Sequence, residues 1–450
     1  MDETQISEQE ARKILFDFGI EYSSKQNLSQ LGGMKVLLEL LKRGKIRERL
    51  SAQVGAFKAR SILQFVIGLW AGARTMVEIG QVGKDPLVRK FIGDVVEEAQ
   101  LGRDFKAFTK AEIESLHDFN ISQTIFDLAQ KTPHSETLYF DIDATFREKF
   151  GQQEGVQKGY VGQDRPESCY QFLLIYFNNR KTFLHATIRA GSAHSQNDFC
   201  GYLERFLPML ARRWKSVFRG DSGYHNERAF DLFSEHAAEF FIKSPMSASR
   251  LNLAQTSTEL VWGPEENGVS HASYMTKTKQ GTVVREIYKR TRQTHPEGQM
   301  SLLSSASFRY DCVSTNDLVV DEALAFSIYN KRAHIENAIK ELKEDYHLGH
   351  IVTDSFDAND ALTQATMLAY SMIQLLKNEA LPPKMGRMRL STLRTHVFNV
   401  PACLVHWARR EITRIQNVFL PPEKMAMITS RVRRLASWML DPPLIEEPAA

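Results

Sequence analysis

Residues 137–143 read TLYFDID, an apolar run with acidic residues at two of its last three positions, and the fold class is inferred from this stretch outward. Alternation along a strand puts Asp141 and Asp143 on the same face and Ile142 on the opposite one. Asp143 is the nearer of the two acids to the expected end of the strand. The run therefore predicts a buried strand that presents carboxylates at its carboxyl end.

Further apolar runs follow this strand in an order that predicts a mixed sheet. The predicted strands are YQFLLIYFNN (170–179), TFLHATIRAG (182–191), SVFRGDSGY (216–224) and AEFFIKSP (238–245), with amphipathic helices at 196–214 and 226–236. Three strands, helix, strand, helix, strand is the order of the ribonuclease-H-like fold, in which the first and fourth strands are neighbours. This order predicts that Asp143 and Asp221 meet at the ends of adjacent strands.

A third acidic residue lies in the stretch DEALAFSIYNKRAHIENAIKELKEDY (321–346), whose period predicts one continuous helix. One edge of that helix carries four polar side chains within an arc of about 60°: Tyr329, Arg332, Glu336 and Lys343. A salt-bridged surface helix is the simpler interpretation. Arg332 precedes Glu336, however, which is the less favourable order for helix stabilisation alone.

Carboxylates gathered from three separate elements suit the binding of divalent metal ions. Asp143, Asp221 and Glu336 could hold two such ions, which would clamp the attacking and leaving oxygens of a phosphodiester. Arg332 and Lys343 beside them would grip the flanking phosphates. For Asp221 alone the competing interpretation is an ordinary turn residue. The constellation indicates an enzyme that acts on nucleic acid.

The charge distribution is more informative than the total. The chain has 450 residues and a net charge of only +3, so its overall charge does not predict a nucleic-acid partner. Between Lys384 and Arg434, however, eleven Lys and Arg residues stand against two Glu residues, a local charge of +9. Such a region suits a phosphate backbone, and a solvated helical face would show the same pattern.

The remaining composition favours a cytoplasmic protein, which would be nucleoid-associated if it binds DNA. Four scattered cysteines without close spacing predict buried thiols in a reducing compartment. No apolar run reaches the roughly 18 residues that a membrane span needs. The acidic and polar N-terminus does not resemble a signal peptide.

The pattern of helices and strands predicts five regions in an α/β protein. They are a helical region for DNA binding or dimerisation (1–132), the first part of a ribonuclease-H-like core (133–245), an antiparallel β-rich insertion (246–318), the second part of the core (319–380) and a basic helical region (381–450). Packing or dimerisation alone is the simpler role for the N-terminal helices. In the insertion, Trp262 could stack on a displaced base or belong to a buried sheet.

The spacing of Tyr329, Arg332, Glu336 and Lys343, with gaps of two, three and six residues, resembles the Y-R-E-K signature of bacterial insertion-sequence transposases with a DDE triad. The segment FDIDATF (140–146) is similar to the first Asp motif of the insertion-sequence thirteen-eighty family, and FRGDSGYHN (218–226) to its second. The resemblance covers roughly residues 135–410, with weaker similarity in the N-terminal helices.

The resemblance implies that Asp143, Asp221 and Glu336 are catalytic and hold two Mg²⁺ or Mn²⁺ ions. It implies that Tyr329, Arg332 and Lys343 contact DNA near the cut. Either Asp141 or Asp143 could match the family's first aspartate, with the other as a supporting residue. The implied partners are double-stranded DNA, as terminal inverted repeats and as target, and a second copy of the chain on paired ends.

The implied reaction is cut-and-paste DNA transposition. Water would cleave the phosphodiester at the transposon end, and the freed 3′-OH would attack target DNA. Related transposases with a similar insertion pass through hairpin ends. Three alternatives remain open: a domesticated, non-catalytic DNA-binding protein, a ribonuclease-H-like nuclease without strand transfer, and a structural helical protein whose acids share no role.

Overall fold

The computed structural model describes residues 27–133, 135–160, 166–194, 196, 198–211, 213–293, 308–407, 410–415 and 421–440. The polar N-terminus, residues 294–307 of the predicted insertion and residues 441–450 of the predicted C-terminal region lie outside these ranges. The strands are β1 (Leu28–Ser29), β2 (Leu138–Glu148), β3 (Gln157–Tyr160), β4 (Pro166–Phe177), β5 (Thr182–Ala190), β6 (Ser216–Gly220), β7 (Glu239–Ser244), β8 (Val269–Lys277), β9 (Val283–Arg292), β10 (Phe308–Thr315), β11 (Ala402–Trp407) and β12 (Arg410–Ile415).

Helices account for most of the rest of the described chain. The α-helices are α1 (Lys35–Arg43), α2 (Ile46–Val54), α3 (Ala56–Ala71), α4 (Met76–Gly83), α5 (Pro86–Ile92), α6 (Glu98–Lys106), α7 (Lys110–Lys131), α8 (Phe199–Ala211), α9 (Glu227–Glu235), α10 (Ala248–Thr256), α11 (Glu322–Asn330), α12 (His334–Glu344), α13 (Phe356–Glu379), α14 (Pro383–Gly386), α15 (Leu390–Leu393) and α16 (Pro422–Leu440). Tighter 3₁₀ turns lie at Gly32–Met34, Ser222–Tyr224 and Lys331–Ala333, and a π-helical turn at Arg394–Phe398.

A mixed sheet forms the centre of the molecule. Its core strands lie in the spatial order β5-β4-β2-β6-β7. Strands β2, β6 and β7 are parallel, whereas β4 is antiparallel to both of its neighbours. Helix α8 connects β5 to β6, and α9 connects β6 to β7. This order and these directions are those of the ribonuclease-H-like fold, so the predicted fold class is confirmed.

Apolar side chains on both faces of the sheet hold the strands in place. On one face, Phe140 and Ile142 of β2 are fully buried together with residues of α8 and α9, and Phe140 stacks on Phe218 at a ring distance of 4.9 Å. On the other face, Phe172 and Leu174 of β4 pack in the core that contains α13. Each such side chain contributes about 1.5–3 kcal/mol through burial. The strand ends that carry the acids are therefore anchored by packing from both sides.

The first core strand is longer than the sequence predicts. Parallel pairing between β2 and β6 stops at Ile142 and Gly220, but antiparallel pairing between β2 and β4 continues to Glu148. The predicted end at Asp143 is therefore wrong for the strand, although the parallel ladder stops one residue earlier, at Ile142. The reason is that β4 supplies a partner for the polar residues beyond Asp143. The strand predicted at 216–224 likewise ends at Gly220 and is followed by a 3₁₀ turn.

The predicted β-rich insertion is antiparallel, but it is not a separate sheet. Strands β8, β9 and β10 form an antiparallel ladder. Strand β10 then pairs with β7, which makes the insertion an extension of the central sheet. Helix α10 at the start of this region was not predicted from the sequence. The segment around Trp262, predicted as a strand, has no regular secondary structure.

The flanking regions are mostly helical, as predicted, with one exception. Helices α1 to α7 precede the core, and the indole Nε1 of Trp70 donates a hydrogen bond to the Ala369 carbonyl of α13 at 2.9 Å. In the C-terminal region, β11 and β12 form a hairpin that pairs with β1. The hairpin was predicted as helix because its third strand comes from the opposite end of the chain.

No single helix in the described ranges is both long and apolar enough to cross a membrane. Helices α3 and α4 reach that length only as a pair, and they meet at an angle of 98°.

Candidate active site

Strand register places Asp143 and Asp221 side by side. Ile142 of β2 pairs with Gly220 of β6, so the two aspartates are the next residues on adjacent parallel strands. Both side chains are half-buried. The negative charge of Asp221 contributes to a raised pKa of Asp143, as expected for neighbouring carboxylates. The register therefore places these two acids next to each other, as the strand order predicts.

Local backbone structure holds the Asp221 carboxylate. Its backbone is extended, and it caps the 3₁₀ turn that follows, with Oδ1 accepting a hydrogen bond from the Gly223 N–H at 2.9 Å. Capping is the simple role that the sequence left open for this residue. The other carboxylate oxygen is not used by the cap, so the same side chain can also take part in chemistry.

The environment of Asp143 combines burial with charges of both signs. Burial is the largest cause of a pKa raised to about 6, and the negative charges of Asp221 and Glu336 act in the same direction. The Arg332 guanidinium opposes them, with Nη1 lying 3.3 Å from Oδ2 of Asp143. Asp143 also accepts a hydrogen bond from the Ala144 N–H at 2.9 Å. Asp143 thus lies in a site where negative charge accumulates.

The helix predicted at 321–346 is interrupted. Helix α11 ends at Asn330, a 3₁₀ turn spans Lys331–Ala333, and α12 begins at His334. Near this break, the Ile328 carbonyl accepts a hydrogen bond from Arg219 Nη1 at 3.0 Å. This hydrogen bond holds the end of α11 against the sheet. The predicted arc of four side chains on one straight helix is therefore wrong. A 3₁₀ segment within a helical stretch is a common place for bending.

The residues around the break retain their proximity to the acids. Arg332 lies in the turn itself. Burial is the largest single influence on its pKa and lowers it, but Asp143, Tyr329 and Asp221 together raise the pKa above its usual value. Burial raises the pKa of Tyr329 and lowers that of Lys343. Arg332 thus ties the Tyr329 hydroxyl to the aspartate pair.

Glu336 is close to the aspartates without joining them in a compact cluster. It is exposed in the first turn of α12, and its negative charge contributes to the raised pKa of Asp143. Across the ranges that the structure describes, no three His, Cys, Asp or Glu side chains are grouped so that they could hold a metal ion. The structure therefore brings two of the three predicted acids together and leaves the third at the edge.

Asp141 has a different environment from Asp143. It is fully buried, and both carboxylate oxygens accept hydrogen bonds from Arg219, at 2.6 and 3.0 Å. Asn178 donates a further hydrogen bond to Oδ2 at 2.9 Å. With its oxygens engaged in the core, Asp141 is suited to supporting the site rather than to binding an external group.

Two residues at the site were not singled out from the sequence. Arg219 is buried on β6, and a charged residue within such an apolar strand is a sign of a buried partner. Tyr224 is buried at the end of the 3₁₀ turn that Asp221 caps, and its hydroxyl has no hydrogen-bond partner among the described residues. Burial, together with the charges of Asp143 and Asp221, raises the pKa of Tyr224 well above its usual value. The Tyr224 hydroxyl is therefore within electrostatic range of both carboxylates.

Trp262 lies on the insertion, half-buried and outside any strand. Its ring is 6.0 Å from that of Tyr310, and the Arg290 guanidinium lies 4.5 Å from its centroid. The interpretation of Trp262 as a buried sheet residue is therefore wrong. Its stacking on a displaced base stays a prediction.

The family model described as transposase DDE domain group 1 matches residues 25–437. No curated protein matches. Among solved structures, the chain matches the cryo-EM structure of piggyBac transposase synaptic complex with hairpin DNA, at 10% identity and a TM-score of 0.30, covering 86% of this chain and 74% of that one. Because the family model spans nearly the whole sequence, the chain belongs to the DDE transposase domain group 1 family.

Proposed function

We propose that this DDE transposase moves an insertion sequence of the thirteen-eighty family by binding its terminal inverted repeats, cleaving the strands and joining them to target DNA. The adjacency of Asp143 and Asp221 at the end of the β2–β6 ladder is the observation that carries the proposal. Arg332 beside Asp143 adds a cation that can contact the scissile region. The Y-R-E-K spacing supports the same assignment.

Asp143, Asp221 and Glu336 would hold two Mg²⁺ or Mn²⁺ ions. The donor set fits, because hard divalent ions prefer carboxylate oxygens and the crowded negative charge at Asp143 favours a cation. Glu336 is exposed directly after the 3₁₀ turn, where a change in bend would bring it toward the aspartates. When bound, the ions would stabilise charge on the attacking and leaving oxygens.

The remaining side chains would position DNA. Arg332 and Lys343 would bind phosphates on either side of the scissile bond, and Tyr329 would hold Arg332 in place through its hydroxyl. Water would first displace the 3′-oxygen of the transposon end, and the freed 3′-OH would then attack target DNA. Both steps are in-line displacements at phosphorus, so one site can serve them.

Paired transposon ends would require a homodimer, with one active site for each end. Hairpin ends would arise if the first 3′-OH attacked the opposite strand before joining the target. Because it acts on chromosomal DNA, the protein would be cytoplasmic and nucleoid-associated.

The test is a cleavage and joining assay with Mg²⁺ or Mn²⁺ on labelled duplexes that carry the element's own ends. We expect metal-dependent 3′-OH ends, followed by joined products when target DNA is added. Binding without nicking would indicate a non-catalytic DNA-binding protein. Nicking without joining of a pre-cleaved end would indicate a nuclease, and either result would contradict the proposal. Denaturing gels of the same reactions would reveal hairpin ends.

A further inference from the structure

A cleft of about 550 Å³ lies behind the helix that carries Glu336. At about 100° per residue, His334, Ala338 and Glu341 line it from the side of α12 opposite Glu336, whereas Lys340 lines it from a position about 40° from Glu336. The cleft therefore lies mainly on the far side of α12 from Glu336, with Lys340 at the part of its rim nearest the acidic site. Its volume is within the range of about 300–1,000 Å³ that is usual for small-molecule sites.

Uncompensated positive charge surrounds this cleft. Lys181, Lys340 and Arg387 line it, and all three are exposed. Within the described part of the chain, none of the three forms an ion pair. The acid in the lining, Glu341, is already neutralised, because its Oε1 lies 2.8 Å from the buried Lys377 ammonium. The three outer cations are therefore free to act on a ligand.

Neutral hydrogen-bond donors complete the lining. Asn178, Asn337 and Gln374 also line the cleft and contribute amide groups. Amides and cations around a concave surface suit a ligand with several oxygen acceptors and negative charge. An exposed lysine on a flat surface usually has no such role, but here three cations converge on one cleft. Phosphate groups have the matching chemistry, and arginine binds them in a bidentate manner.

We propose that this cleft binds phosphate groups and holds a DNA backbone segment beside the active site. The inference rests on the proposed function, because DNA at the acidic site makes a neighbouring stretch of backbone available to the cleft. A nucleoside triphosphate would offer the same chemical group.

The cleft is also linked mechanically to the acids. Asn178 lines it and donates a hydrogen bond to Asp141, two residues from Asp143 on the same strand. On the other wall, Glu341 and Glu336 share one helix. A phosphate in the cleft would thus affect the position of the strand that carries Asp143, through Asn178, and the position of the helix that carries Glu336.

The first experiment measures how DNA affinity depends on salt for wild-type protein and two triple variants. Each phosphate contact on duplex DNA contributes about 0.9 to the slope of log affinity against log salt concentration. The cleft variant carries Lys181→Gln, Lys340→Gln and Arg387→Gln. The control variant removes three exposed lysines that lie outside the cleft: Lys158→Gln, Lys277→Gln and Lys279→Gln.

We expect the cleft variant to lose about 2–3 from the salt slope, with weaker binding of an end duplex, while the control keeps the wild-type slope. A p-benzoylphenylalanine introduced at Asn337 should crosslink the bound duplex. An unchanged slope in the cleft variant, or the absence of a crosslink, would overturn DNA binding in the cleft.

ATP distinguishes the two sources of phosphate. ATP that binds wild-type protein but not the cleft variant, with an unchanged DNA slope, would assign the cleft to a nucleotide. No effect of the cleft variant on either ligand would remove phosphate binding altogether. Metal-dependent cleavage by wild-type protein is scored in the same preparations, so a failure of the proposed function is seen separately from a failure of the cleft.

Discussion

Asp141 and Arg219 form a buried, doubly hydrogen-bonded ion pair between paired residues of β2 and β6. The same guanidinium donates to the Ile328 carbonyl of α11 at 3.0 Å. One side chain therefore connects the strand that precedes Asp221, the strand that carries Asp143 and the helix that leads to Arg332. The relative position of the candidate catalytic groups depends on this pair.

Removal of one member of this pair should destabilise the protein strongly. We expect Arg219→Met to lower the free energy of unfolding by about 3–5 kcal/mol, because it leaves the Asp141 carboxylate buried without its partner. Urea unfolding followed by circular dichroism measures the change. The double variant Asp141→Leu with Arg219→Met should recover part of the loss, since no charge is then left buried. If Arg219→Met lowers the free energy of unfolding no more than the surface variant Lys215→Met does, the structural role of Arg219 is refuted.

Substitution of the proposed metal ligands should abolish chemistry and spare binding. We expect Asp143→Asn, Asp221→Asn and Glu336→Gln each to lower the single-turnover cleavage rate by at least about a thousandfold, as for catalytic groups that act as a unit. Gel-shift affinity for an end duplex should stay close to wild type. Glu235→Gln, which changes an exposed carboxylate on α9, is the matched control. Cleavage retained in any of the three variants would exclude that residue from the site.

Arg332 should assist the reaction without being indispensable. Arg332→Gln removes the cation that lies 3.3 Å from Asp143, together with its proposed phosphate contact. We expect cleavage to fall about 10–100-fold, which corresponds to one charge-assisted hydrogen bond, and DNA binding to weaken. Arg332→Lys keeps the charge and should restore part of the rate. Wild-type kinetics in Arg332→Gln would contradict the phosphate role.

His347 should make the stability of the fold dependent on pH. Burial, with the nearby cations Arg394, His350, Arg74 and Arg147, lowers its pKa to about 4. Between pH 4 and about pH 6.5, His347 is protonated more in the unfolded chain than in the folded one, so the free energy of unfolding decreases as the pH falls through this range. The contribution of neutral His347 to stability is therefore complete above about pH 6.5 and is lost as the pH falls toward 4.

The variant His347→Asn isolates this effect, because asparagine does not titrate and tolerates the positive φ of 54° at this position. We expect the free energy of unfolding to fall less between pH 7 and pH 5 in the variant than in wild-type protein. Urea unfolding at both pH values tests this, and equal losses in the two proteins would contradict the assignment.

Much of the fold and part of the site follow from local patterns. The alternating run at 137–143 and the apolar runs after it predicted the order of the core strands, because strand burial is readable from a period of two. The same order predicted that Asp143 and Asp221 would be neighbours. The limits of β2 were predicted less well, since its continuation depends on β4 and not on its own residues.

Other features depended on contacts between distant parts of the chain. The break at Lys331–Ala333 falls where Arg219, more than a hundred residues earlier, binds the Ile328 carbonyl. A helical period shows only which residues would share a face if the helix were straight. The hairpin of β11 and β12 likewise depends on β1 at the other end of the sequence.

Local sequence patterns were sufficient to predict the strand order and the neighbouring positions of Asp143 and Asp221, and the assignment of Glu336 as the third acid stays a prediction. Tertiary structure alone decided that Asp141 is bound to Arg219 in the core while Asp143 faces the site. It also decided that Glu336 lies at the edge of the acidic pair and that a cationic cleft lies behind α12. The physical reason is that periodicity is a property of neighbouring residues, whereas burial and charge pairing depend on which distant segments pack together.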